Sequence, residues 1–237
     1  MSYNYTDFVT TLANQLIIPA DNVEYLTNLP RIIDDGEQRV YRELDLLSTI
    51  IRDTGGSLTA NSRNFTLPQT SGRFVVTENM NVFTPVGTTT NRRQLVPVSR
   101  DFLDAVWPNE ASASIPSIPQ YYAMITDQQV IVGPSPDAAY TMEVIGTIRP
   151  TPLSASNPTT FLTLYLPDLF FAECLVAGYG YLQNFGAMCD DPKSATSWEG
   201  HYQSLWNSAN TEENRKKYAA QAWTSKQPAT VATPARV

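Results

Sequence analysis

Apolar positions along the chain change period twice. Phe8, Leu12 and Leu16 recur every four residues, which puts them on one face of a helix over residues 5–16. Thr6 or Asp7 is placed to cap this helix and Pro19 to end it. A second helical pattern starts near Asn28, with Pro30 in the tolerated first turn. Ile33, Val40, Leu44, Leu47 and Ile51 form its narrow seam, and Asp34, Glu37, Arg39, Arg42 and Glu43 occupy its other faces. Thr54-Gly55-Gly56 stops it. From Ser57 the texture becomes short β-prone runs between Gly, Pro, Asn and Thr: residues 65–67, 74–76, 80–84 and 95–98. Residues 101–107 read as one or two helical turns closed by Pro108. A meander follows, with strands at 121–126 and 130–132 and a turn at Gly133-Pro134-Ser135-Pro136-Asp137. In its last strand Tyr140, Met142, Val144, Gly146 and Ile148 alternate with Thr141, Glu143, Thr147 and Arg149, the period of a half-buried strand.

Helical sequence returns at Pro167. Residues 168–184 are apolar nearly all round and so belong at the centre of a bundle. Gly178 and Gly180 would permit close backbone approach there, and Asn184-Phe185-Gly186 would end the helix. Asp191-Pro192 restarts a helix whose seam is Trp198, Tyr202, Leu205 and Ala209. Glu212 with Lys216 and Glu213 with Lys217 would pair four residues apart on its exposed face. The tail 224–237 is rich in Pro, Thr, Ala and Lys and lacks a seam, which predicts disorder until a partner orders it. The resulting expectation is an α+β fold. Residues 1–56 and 159–223 build a helical bundle, 57–158 an inserted antiparallel β-rich domain, and 224–237 a disordered C-terminal tail.

Composition narrows the function. Only 16% of the 237 residues are charged, against an average near 25%, and the net charge is −7. A low charge density suits burial between subunits. The negative balance opposes general duplex-DNA binding, yet fits a surface that DNA slides past. Cys174 lies in a helix and Cys189 beyond its end, too far apart to pair and consistent with free thiols in a reducing cytoplasm. No secretory signal and no stretch long enough to span a membrane is visible. The sequons at Asn4 and Asn64 carry no meaning without secretion.

Catalytic chemistry is hard to assemble from these residues. The single histidine, His201, lies on a helix beside Tyr202 with no nameable acid or nucleophile partner. Neither a nucleophile elbow, a phosphate loop, a dinucleotide fingerprint nor a metal-spaced Cys/His cluster is present, so no enzyme activity, metal or cofactor is expected. The adjacent acids Asp34-Asp35 and Asp190-Asp191 point in different directions on a helix and fit helix starts or solvated faces. Arg92-Arg93 falls in a Thr/Asn-rich stretch and fits a solvated loop tip better than a phosphate site. Trp107, Tyr121, Tyr122, Trp198, Trp206 and Trp223 fit core or subunit contacts better than ligand stacking.

One stretch carries more specific information. It comprises Ile118-Pro119-Gln120-Tyr121-Tyr122, then Val130-Ile131-Val132-Gly133-Pro134-Ser135-Pro136, then Tyr140-Thr141-Met142-Glu143-Val144 with Arg149-Pro150, and finally Tyr165-Leu166-Pro167-Asp168-Leu169 running on to Tyr181. This succession resembles tailed-phage head–tail adaptor proteins of the tail tubular protein A and tail accessory factor type. The likeness covers most of the chain in order and is most specific over residues 116–183.

The resemblance implies a virion protein at the head–tail junction, assembled in the host cytoplasm. It would form a ring with itself, usually of twelve subunits in that family, beneath the portal protein. The β domain would meet a tail or nozzle protein, and DNA would pass through the channel without sequence-specific binding. It also implies that the tail, with Trp223, Lys226, Pro228, Pro234, Arg236 and Val237, orders against the portal. The competing expectations are a ligand- or sugar-binding tail component with a β module on a helical stalk, and a cell-wall hydrolase with scattered acids.

Overall fold

The computed structural model describes residues 3–19, 21–108, 116–181 and 194–220. The architecture is α+β. Chain order is α1 (Tyr5–Gln15), α2 (Val23–Glu43), a 3-10 turn (Leu47–Thr49), β1 (Ile50–Ser57), β2 (Asn64–Thr66), β3 (Gly72–Thr84), β4 (Asn91–Gln94) and β5 (Val96–Pro97). It continues through α3 (Arg100–Val106), β6 (Tyr121–Met124), β7 (Gln129–Gly133), β8 (Thr141–Pro150), α4 (Phe161–Tyr165), α5 (Pro167–Tyr181) and α6 (Ser194–Ala220).

The helices from both ends of the chain share one core. Phe8 and Leu12 of α1, Leu29 and Ile33 of α2, Phe170 and Leu175 of α5 and Tyr202 of α6 are buried together. The rings of Phe8 and Phe170 stack at 4.8 Å. α5 is buried on most sides, as its all-round apolar sequence requires. Gly178 fits the expected close approach, since a Cβ there would lie 2.9 Å from Leu16, but Gly180 has open space around it.

α2 departs from its expected bounds at both ends. Asn22 caps it by accepting the Tyr25 N–H, so Pro30 lies well inside the helix rather than in its first turn. An interior proline costs about 3 kcal/mol. Burial of Tyr25 and Leu29 on the additional turns, together with the cap, offsets that cost. At the other end the helix stops at Glu43, and residues 50–53, expected as its continuation, fall in strand β1. Similarly, α1 is capped by Asn4 rather than Thr6 or Asp7.

The strands form two four-stranded sheets, ordered β1-β8-β3-β4 and β2-β7-β6-β5. Neighbours are antiparallel except β5 with β6, which run parallel. The sheets face each other across a second core. Phe74, Met80, Val82, Met142, Val144 and Ile148 come from the first sheet, and Phe65, Tyr122, Val130 and Val132 from the second. Runs 74–76 and 80–84 are one strand, β3, broken in register by bulges after Phe74 and Thr77. A bulge in β1 brings Gly56 under the Phe65 ring, where a Cβ would approach within 2.7 Å. On the far face of the second sheet, Leu103 of α3 packs with Ala123 and Ile131.

Candidate functional site

Two polar hubs lie inside this scaffold. In the bundle, Arg39 of α2 reaches Glu43 of its own helix at 3.0 Å, Glu173 of α5 at 2.9 Å and Glu199 of α6 at 2.7 Å. Its guanidinium stacks over the Tyr202 ring at 4.4 Å, and the Tyr202 hydroxyl donates to Glu43 at 2.7 Å. The Arg39 hydrogen bond holds the Glu199 carboxyl below its ordinary value. Burial pushes Glu173 up to about 7 in spite of Arg39. Nearby, buried Glu37 accepts the Leu153 N–H at 3.1 Å, and burial pushes it up to about 7. The hub ties three helices together through one cation.

The second hub joins all four strands of the first sheet. Glu143 of β8 has a fully buried side chain. It accepts from Arg52 of β1, from Asn81 of β3 at 2.7 Å and from Arg92 of β4 at 2.7 Å. This corrects the loop-tip expectation for Arg92-Arg93, since both lie on β4 and Arg92 closes a structural ion pair. A corresponding correction applies to Glu213. It is buried rather than exposed, accepts the Leu47 N–H at 3.1 Å and pairs with Lys216 at 2.7 Å, while Lys217 turns to Asp45 instead. The expected Glu212–Lys216 pair forms at 2.7 Å.

The remaining sequence candidates are scattered. The His201 ring lies 5.6 Å from that of Trp198 on α6. Trp107 and Tyr121 pack edge and face with Phe102 on the outside of the second sheet, and Tyr122 belongs to the inter-sheet core. Trp198 and Trp206 lie against the helical core. Cys174 is buried and free. Cys189, Asp190, Asp191, Asn184-Phe185-Gly186 and the portal candidates Trp223, Lys226, Pro228, Pro234, Arg236 and Val237 lie outside the described residues. Among the described residues no Asp, Glu, His and Cys converge as a metal site, and no helix is long and apolar enough to cross a membrane.

What the surface offers is places to dock. At the α1–α2 connection Ile17 is 91% and Val23 75% exposed. Ile17 also has a left-handed φ of 58°, a strained state for a β-branched residue. This corner is at the C-terminal end of α5, where Leu16 meets Gly178 and Asn28 bonds Tyr181. Near the N-terminal end of α5, Leu47, Phe161 and Tyr165 line a groove of about 520 Å³ with Glu212, Glu213 and Lys216. A further groove, of about 400 Å³, runs between the end of α2 and the first sheet. Neither groove was legible as a unit, because each joins residues far apart in sequence.

Comparison with known families matches the chain to the family described as SU10 adaptor protein over residues 3–231. No individual curated protein matches the chain.

Proposed function

The chain belongs to the SU10 adaptor protein family and is a phage adaptor protein; on that premise we propose that it forms a ring of identical subunits joining the portal to the tail and continuing the DNA channel. The family match along residues 3–231 carries this reading. Twelve subunits would follow the pattern of the head–tail adaptors it resembles. The chain acts in the virion as a structural part, of the tail tubular protein A or tail accessory factor kind, and does no catalysis.

The apolar surfaces support self-association. The exposed corner at Ile17 and Val23 and the groove at Phe161 and Tyr165 lie toward opposite ends of α5. Apolar patches on opposite ends favour a head-to-tail contact, which repeats and closes into a ring when the rotation allows. Same-end patches would favour a two-fold dimer instead. The net charge of −7 suits a wall along which DNA moves. In this scheme Trp223, Lys226, Pro228, Pro234, Arg236 and Val237 contact the portal, and the sheets meet the next tail component.

Mass measurement and electron microscopy of the protein alone and mixed with its portal test the assignment. A ring seated on the portal is the expected result. A subunit that stays monomeric and unbound at all portal concentrations refutes it.

A further inference from the structure

The groove between α2 and the first sheet has unusual chemistry for a surface cleft. Its floor is the outer face of the sheet. Val76 pairs with Thr147 there, while Phe74 and Ile148 turn inward to the core. The β3 bulge after Phe74 presents Val75 and Val76 together, 56% and 54% exposed. The roof is the end of α2, Tyr41 to Leu44, with Asp45 following it. Two polar atoms of lining residues are buried without a hydrogen-bond partner: the Tyr41 hydroxyl and Arg149 Nε. Such orphans are rare in native structures and call for an explanation.

These features specify an occupant. Arg149 lines the groove and its guanidinium can only donate, so an occupant that brings acceptors suits it. The charged lining residues balance, Arg42 and Arg149 against Glu43 and Asp45, so nothing selects an anion or a cation. Neutral acceptors beside small apolar side chains describe an extended peptide, whose carbonyls are free, unlike those of a helix. The chain contains such a stretch. Residues 228–235 read Pro-Ala-Thr-Val-Ala-Thr-Pro-Ala, with no charge and with prolines that favour extended backbone.

The stretch also starts from the right place. Lys217, near the end of α6, pairs with Asp45, which lines the groove. The last turn of α6 therefore lies beside the cleft, and at roughly 3.3 Å per extended residue a segment spanning 228–235 is within reach of it. A tethered segment of this kind competes at an effective concentration of about millimolar, well above that of a second copy in dilute solution.

We propose that this groove holds the C-terminal segment of its own chain, centred on residues 228–235, in extended form. The inference goes beyond the adaptor reading and does not depend on it. If the tail also seeks the portal, the groove keeps it parked on the free subunit and sets the affinity that the portal must exceed.

The test uses the full-length chain in a Cys189→Ser background. Val76→Cys combined with Val231→Cys, oxidised at low protein concentration, is expected to give an intrachain disulfide. Its yield should exceed by about tenfold that of Val96→Cys with Val231→Cys, a control site of similar exposure on the other sheet, because tethering raises contact only where the segment docks. Equal yields, or interchain product alone, would overturn the proposal. The second measurement needs no new cysteine. Trypsin should cut after Lys226 several-fold more slowly in the unaltered chain than in a Val76→Asp variant, whose exposed position tolerates the change. Equal cutting rates would also overturn it.

Discussion

Glu37→Gln isolates one buried carboxylate and gives a pH signature that packing alone cannot imitate. Glu37 is 3% exposed in the bundle core, and its oxygen accepts the Leu153 N–H where the chain returns from the sheets. Burial raises its carboxyl from an ordinary 4.5 to about 7, with the Leu153 bond opposing and Asp34 assisting. The folded state therefore keeps a proton that the unfolded chain releases between those values. Where the unfolded state binds fewer protons, stability falls as pH rises. The stability is thus fully present below about pH 4.5, declines through the interval to about 7, and stays reduced above it. At 1.36 kcal/mol per pKa unit the full interval is worth on the order of 3 kcal/mol, and most of it falls between pH 5 and pH 8. Glutamine keeps the volume and the acceptor for Leu153 but never ionises. Urea unfolding of both proteins near pH 5 and pH 8 is the assay. The variant should lie close to the parent at pH 5 and exceed it at pH 8 by roughly 2–3 kcal/mol. Glu173, also raised to about 7, gives a slope of the same sign, but it is present in both proteins and cancels. A difference between the two proteins that is the same at both pH values refutes the reasoning.

Three further outcomes are expected. Gly36→Ala places a Cβ 2.8 Å from Cys174 Sγ in a fully buried contact, so overpacking of about 1–3 kcal/mol outweighs a helix gain of about 1 kcal/mol, and thermal melts should fall. Adding Cys174→Ala should recover most of that loss. Ile17→Gly relieves a left-handed β-branched residue that is 91% exposed, and chemical denaturation of the free subunit should show a gain of about 1 kcal/mol, while ring formation by mass measurement weakens. Glu143→Ala removes the acceptor shared by Arg52, Asn81 and Arg92 and should cost about 2–3 kcal/mol in urea unfolding, limited because both arginines are half exposed and rehydrate.

Local patterns carried the parts of the fold whose partners repeat along the chain. The every-four spacing of α1, the all-round apolar α5 and the alternation in β8 each report how a segment meets its surroundings. What failed has a common cause. Leu47 and Ile51 continue the α2 seam by spacing alone, and only pairing with β8, nearly a hundred residues on, makes residues 50–57 a strand. Arg92 looks like a loop residue until Glu143 supplies a buried partner from another strand. Glu213 matches a surface ion pair until the Leu47 N–H recruits it inward.

Two of these misreadings, the end of α2 and Glu213, fall in one place. Leu47, Asp45, Glu213 and Lys217 all belong to the junction where α2 ends, the chain enters the sheet and α6 packs back across it. A junction of this kind is built from long-range contacts, so single-segment periodicity has nothing to report there. The same property makes it a place for an added segment to dock. Its groove draws Tyr41 from a helix, Val76 from a bulged strand and Arg149 from the strand beside it, and two of these three hold buried polar atoms with no partner. Regular elements satisfy their own backbone and leave side chains to the surface, whereas a seam between a bundle and a sheet leaves donors that neither body can reach. An acceptor from outside both bodies is one way to satisfy them.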